Sequence, residues 1–156
     1  MAHDASEPQL APLTEWLVDT GPIVAYLDPG DPAHQEVGEA LDHFRGVLHT
    51  TGAVVTEAMH FITRSRRGPS ALADFVAYGD VCVHDACQPP GITKAALLMD
   101  RYADTPMDFA DATLVLLAQR LDVHDILTLD RRGFRTYRTD DGRPFQLILD
   151  QTEAAP

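Results

Sequence analysis

The sequence predicts an α/β protein: a three-layer α/β/α sandwich around a mainly parallel central sheet. Three observations predict it. Short apolar runs at Trp16-Leu17-Val18, Val47–Thr50, Val81-Cys82-Val83 and Ile126–Leu129 lack polar alternation, as strands buried on both faces do. Helical stretches separate each run from the next, the pattern of repeated strand–helix–strand crossovers. The chain has 156 residues, 45% of them hydrophobic, which suits one core, and it contains no internal repeat or dividing linker.

Each element follows from local chemistry. Residues 1–13 carry Pro8, Pro12 and polar side chains without periodicity, and are expected to form a mobile N-terminal tail before a single domain over 14–150, with 151–156 as a C-terminal tail. The first strand runs into Asp19-Thr20-Gly21-Pro22, with proline suited to a first helical turn and the helix ending at Pro29-Gly30. Asp31-Pro32 caps a second helix through Phe44, and Gly46 separates it from the second strand. Thr51-Gly52 opens a helix whose Val54, Val55, Ala58, Met59 and Ile62 keep a helical period; Gly68-Pro69-Ser70 breaks it, and another helix spans Ala71–Tyr78. After the third strand and a loop at Gln88-Pro89-Pro90, a helix covers Ile92–Tyr102. Thr105 and Pro106 are expected to cap and open the next helix, which is apolar almost all round and therefore central. A fourth strand ends at Asp130, a turn or short helix carries arginines, and Phe145–Leu149 supplies a last strand.

Composition excludes several functions. The only lysine, Lys94, follows Thr93 outside any GK[ST] loop, no GxG pair occurs, and the three serines sit in no GxSxG turn. Cys82 and Cys87 make neither a disulfide framework nor a zinc signature and are expected to be buried thiols. No signal peptide or membrane-length apolar run is present, so the expectation is a cytoplasmic protein with no membrane association. The formal net charge of −12 argues against a nucleic-acid partner in sum, but not in distribution. Arg64, Arg66, Arg67, Arg131, Arg132, Arg135 and Arg138 gather seven of the twelve basic residues into two clusters.

Aspartate dominates what remains. Asp19 and Asp130 stand at the ends of expected strands, where open α/β sheets bind ligands, although each could serve only as a helix cap. Asp108 and Asp111 share a helical face; Asp108 falls where a capping-box acid sits, and Asp111 lies a turn deeper, beyond capping. Glu57 sits inside an apolar helix, and His60, three residues on, can reach the edge of the same site. Buried carboxylates without partners cost several kcal/mol or more, so arginines or a hard divalent cation must compensate them. All-oxygen ligands suit Mg²⁺ or Mn²⁺.

Val18-Asp19-Thr20, Val55-Thr56-Glu57-Ala58, Asp108-Phe109-Ala110-Asp111-Ala112 and Leu127–Phe134 together resemble the PIN-domain nucleases, most of all the VapC-type ribonuclease toxins of bacterial toxin–antitoxin pairs. The resemblance runs from about Trp16 to Leu149. It implies a Mg²⁺- or Mn²⁺-dependent endoribonuclease leaving a 5′-phosphate and a 3′-hydroxyl, a homodimer, and inhibition by a co-encoded antitoxin. The family's acidic tetrad falls on Asp19, Glu57, Asp111 and Asp130, with Asp108 as an auxiliary acid and Thr20 and Thr128 as hydroxyl positions beside them. Arg131, Arg132, Arg135 and Arg64 are the candidate RNA contacts. The alternatives are a stand-alone RNA-processing PIN nuclease, a non-catalytic PIN binding module, and a Mg²⁺-dependent phosphohydrolase with an aspartyl nucleophile. That last chemistry wants a second aspartate where Gly21 stands.

Overall fold

The computed structural model describes residues 11–152, so the expected N-terminal tail lies mostly outside the described residues. Five strands, β1 (Thr14–Val18), β2 (Gly46–Thr51), β3 (Val81–His84), β4 (Asp125–Leu127) and β5 (Gln146–Leu147), form one parallel sheet in the order β3-β2-β1-β4-β5. The connecting helices are α1 (Thr20–Leu27), α2 (His34–His43), α3 (Gly52–Ile62), α4 (Gly68–Tyr78), α5 (Pro89–Arg101), α6 (Phe109–Leu121), α7 (Arg131–Thr136) and α8 (Ile148–Thr152). This is the α/β/α sandwich expected from the apolar runs.

Successive strand residues point to opposite faces. Leu17 and Val18 are both fully buried, as are Ile126 and Leu127, so the central strands are covered on both sides. Each such side chain contributes about 1.5–3 kcal/mol of burial. α1, α3 and α4 pack on one another, and α5 packs against α6. No helix among the described residues is long and apolar enough to cross a membrane.

Several local expectations are corrected. Gly68-Pro69-Ser70 opens α4 rather than merely breaking the chain, because proline fits a first helical turn. Pro89 and Pro90 likewise begin α5. The last apolar run is strand only at Gln146–Leu147; Ile148 and Leu149 are buried from α8, which runs to Thr152. Cys82 and Cys87 are exposed, since β3 is an edge strand and Cys87 lies in the loop beyond it. The central helix begins at Phe109, not Pro106. Tyr137 donates its hydroxyl to the Pro106 carbonyl at 2.8 Å, and Asp108 takes the capping role expected of Thr105.

Candidate active site

Strands β1 to β3 extend the sheet in one direction and β4 to β5 in the other, so the order reverses between β1 and β4. A crevice at the carboxyl end of such a pair is where α/β sheets bind ligands. There, a cleft of about 480 Å³ is lined by six carboxylates, Asp19, Asp31, Glu57, Asp108, Asp111 and Asp130, and by one guanidinium, Arg64. Thr20, Gly21, Val24, Phe61 and Leu129 complete its wall. A larger cavity of about 840 Å³ against Trp16, Phe44 and Ile148 shares none of these residues.

Local structure delivers most of the acids as helix caps. Asp19 caps α1 and accepts from the Thr20 amide at 2.7 Å. Asp108 and Asp111 form a reciprocal capping box on α6: the Asp111 amide donates to Asp108 at 2.8 Å, and the Asp108 amide to Asp111 at 3.2 Å. The expectation that Asp111 lies beyond capping is therefore corrected; the later helix start moves it to the third position. Asp130 caps α7, accepting from the Gly133 amide at 3.0 Å. It follows β4 by three residues instead of ending it. Helix N-termini carry partial positive charge, so these caps gather acids at the ends best suited to them.

A short relay fixes the deepest acid. The Asp130 amide donates to the Thr128 hydroxyl at 3.0 Å, which donates to Asp19 at 2.7 Å. Burial still dominates: it raises the Asp19 carboxyl to about 6 against the bonds from Thr128 and Thr20. Asp111 is pushed higher, to about 8, by burial and by the charges of Asp19, Asp108 and Asp130. Half-buried Glu57 is raised by burial and by Asp108. The Thr20 hydroxyl faces Glu57 and helps hold its carboxylate charged, yet buried as it is it makes no hydrogen bond of ordinary geometry.

Several contributors were not legible as site residues. Asp31 read only as a cap; its side chain accepts from the Ala33 amide while lining the cleft. Gly133 is required by close approach, since a Cβ there would lie 2.2 Å from an Asp130 oxygen. Buried Tyr137 stands among the acids, and burial together with the charges of Asp111 and Asp130 raises its hydroxyl. Tyr137 could not be read locally because its hydrogen-bond partner is 31 residues away, whereas Asp31 and Gly133 meet near neighbours in the chain and only the folded cleft shows what those contacts serve.

The basic candidates divide. Arg64 lines the cleft. Arg131 bonds Asp150 at 3.1 Å and Glu36 at 2.6 Å, and Arg135 bonds Asp150 at 2.9 Å, none of them in the cleft wall. Arg132 is exposed and also outside that wall. His60 is exposed and packs edge-on against Phe61.

The PIN domain family model matches residues 16–139. The chain belongs to the PIN-domain family. It is similar to Ribonuclease VapC26 of Mycobacterium tuberculosis (strain ATCC 25618 / H37Rv), with 32% identity over 134 residues, covering 85% of this chain and 98% of the relative. The fold is shared with the crystal structure of Mycobacterium tuberculosis VapC20, described as a sarcin-ricin loop cleaving toxin. The TM-score is 0.69 at 20% identity, covering 77% of this chain and 92% of that one.

The donor set of this PIN domain fits a hard divalent cation. It offers carboxylate oxygens that burial holds protonated more readily than usual, a buried Thr20 hydroxyl that faces Glu57 without a hydrogen bond of ordinary geometry, and no lysine in the cleft wall. Among the described residues no three such side chains already enclose a common point, since Asp111 and Asp130 are turned onto backbone amides. Each of those capping bonds uses one carboxylate oxygen and leaves the other oxygen of Asp111 and Asp130 outside the cap.

Proposed function

We propose that this PIN domain is a divalent-metal-dependent endoribonuclease of the VapC type, acting as the toxin of a toxin–antitoxin pair in the cytoplasm. The observation that carries the reading is the convergence of Asp19, Asp111, Asp130, Glu57 and Asp108 in one cleft at the switch between β1 and β4. Similarity to a ribonuclease over nearly its whole length supports the substrate class.

Asp19, Asp111 and Asp130 would hold Mg²⁺ or Mn²⁺, with Glu57 and Asp108 beside them. When bound, such an ion acidifies water and offsets phosphate charge. Asp19 is kept in place by Thr128 and the Thr20 amide, so one ligand is preorganised while Asp111 and Asp130 can adjust. Glu57, its carboxyl raised by burial and neighbouring charge, is suited to accept a proton from the attacking water. In-line attack then leaves a 5′-phosphate and a 3′-hydroxyl. Arg64 draws the backbone to a cleft whose other charges are negative. Arg131 and Arg135 serve chiefly to hold α7 to α8.

The partner follows from the same field. A guanidinium matches carboxylates bidentately, so an arginine from a co-encoded antitoxin fits the cleft in place of metal. A homodimer is part of the same proposal. The test is cleavage of single-stranded RNA with Mn²⁺ or Mg²⁺, with product ends mapped, for wild type and Asp19→Asn. Cleavage by Asp19→Asn equal to wild type defeats the site. Co-purification from the native operon tests the partner: an inhibitory small protein supports the toxin, and active protein with no such partner supports a stand-alone RNA-processing nuclease.

A further inference from the structure

Helix α3 carries two functional rows. Val54, Ala58 and Ile62 recur at four-residue spacing and are buried in the core. Glu57 and Phe61 follow the same spacing one position earlier, and Arg64, just past the helix end, continues their row; all three line the acidic cleft. One helical turn, about 5.4 Å, separates Phe61 from Glu57 along the axis.

Phe61 is 48% exposed. The core does not need it, and phenylalanine is a mediocre helix former at an exposed position. Its ring meets that of neighbouring His60 edge-to-face, with centroids 5.5 Å apart. Half-buried Val24 and Leu129 line the same cleft, so the ring belongs to an apolar section of wall beside the carboxylates. Arg64, on the other side of the ring in the row, makes no ion pair with any described residue. Carboxylates, an open aromatic face and a guanidinium in sequence match three parts of one strand: a scissile phosphate, its base and the neighbouring phosphate.

Resting on the ribonuclease reading, we propose that Phe61 is the stacking platform for the base next to the cleaved bond, with Arg64 contacting the adjoining phosphate. Single-stranded RNA is commonly bound by bases stacked on aromatic rings, and such stacking tolerates any base because every base has a π-face. The site therefore selects unpaired over duplex RNA without reading which base it holds. Sequence preference must come from other contacts.

The experiment measures Mn²⁺-supported cleavage of a short single-stranded RNA by wild type, Phe61→Leu, Phe61→Tyr and Tyr78→Leu. Tyr78 is exposed outside the cleft and serves as the control. Phe61→Leu keeps the apolar bulk and loses the ring, so KM should rise roughly 5- to 150-fold, the equivalent of one stacked base, with kcat little changed. Tyr78→Leu should behave as wild type, and Phe61→Tyr, which keeps a ring, should raise KM far less than Phe61→Leu. A substrate with one abasic nucleotide beside the cleaved bond should cost the wild type the same factor and cost Phe61→Leu nothing more. Equal KM for wild type and Phe61→Leu, or abasic and Phe61→Leu losses that add in full, overturns the stacking site while leaving the ribonuclease reading intact. Unchanged RNA kinetics with weakened binding of a co-encoded protein overturns it in favour of a protein-docking residue. A folded wild type that cleaves no RNA overturns the ribonuclease reading itself, and the stacking site with it.

Discussion

Asp130 and Arg131 are chain neighbours that belong to opposite electrostatic regimes. On one side, Asp19 and Asp111 sit in a cleft without basic partners in contact, and burial raises both carboxyls. On the other, Arg131 and Arg135 grip Asp150, and Arg131 also reaches Glu36 on α2. Burial works to raise Asp150, but the bonds from Arg135 and Arg131 outweigh it and hold that carboxyl below the usual range. The clamp satisfies its acids and ties α2, α7 and α8 together. The cleft leaves its acids uncompensated, which is unfavourable for the fold alone and useful for capturing a cation. Carboxylates can thus serve stability or function according to whether their partners are supplied from within the chain.

The sharpest way to break this contrast is to neutralise one member of each region. Asp19→Asn or Asp111→Asn should lower metal-dependent RNA cleavage on the order of 10²–10³-fold, a loss typical of removing one electrostatic contact to a transition state. The same changes should leave the melting temperature without divalent ions unchanged or higher, because they relieve repulsion. Full activity in either variant removes that residue from the site. Arg131→Ala should show the reverse: cleavage near wild type, and a loss of about 1 kcal/mol, since the paired groups are partly exposed. That corresponds to roughly 2–4 °C in a thermal melt.

A second probe moves one acid without removing it. Gly133→Ala places a methyl 2.2 Å from an Asp130 oxygen, so the carboxylate must shift. Cleavage should fall up to about 100-fold, the scale of an ångström's misplacement, with a smaller change in stability. Activity and melting temperature equal to wild type would show that Asp130 need not hold its position.

Proton linkage offers a third. Asp19 and Asp111 bind protons more tightly folded than unfolded, so the folded state carries more protons between the unfolded value of 3.8 and the raised values of about 6 and 8. The contribution of these two groups to stability without divalent ions is fully present below the unfolded value and is lost as pH rises through those raised values. For Asp19 alone the shift of about two units corresponds to up to about 3 kcal/mol. Denaturant melts at pH 5 and pH 8 should differ in that direction, and Asp111→Asn should reduce the difference. A curve that is flat, or rises with pH, in the wild type would contradict the uncompensated cleft. Mn²⁺ should bind more weakly as pH falls, because it competes with the same protons.

The smallest expected effect is at Tyr137. Tyr137→Phe removes the bond to the Pro106 carbonyl and should cost about 1 kcal/mol in a denaturant melt. Cleavage should change little, since that bond shapes the entry to α6 and leaves the capping box of Asp108 and Asp111 in place. A large activity loss would assign the hydroxyl a more direct part.

Sequence alone determined the architecture and the main acids. Short apolar runs without alternation, separated by helical stretches, point to strands buried on both faces, and the buried pairs Leu17-Val18 and Ile126-Leu127 are their consequence. Asp19, Glu57, Asp108, Asp111 and Asp130 were legible because each interrupts an apolar segment or stands beside one, where charge is costly. Tertiary structure decided the rest. It set the start of α6, through a Tyr137 hydroxyl 31 residues away from Pro106, and so turned Asp111 into a capping residue. It committed Arg131 and Arg135 to Asp150, and it brought Asp31 and Phe61 to the cleft. Such choices depend on which distant groups meet, and hydrophobic period and capping preference carry only information about neighbours along the chain.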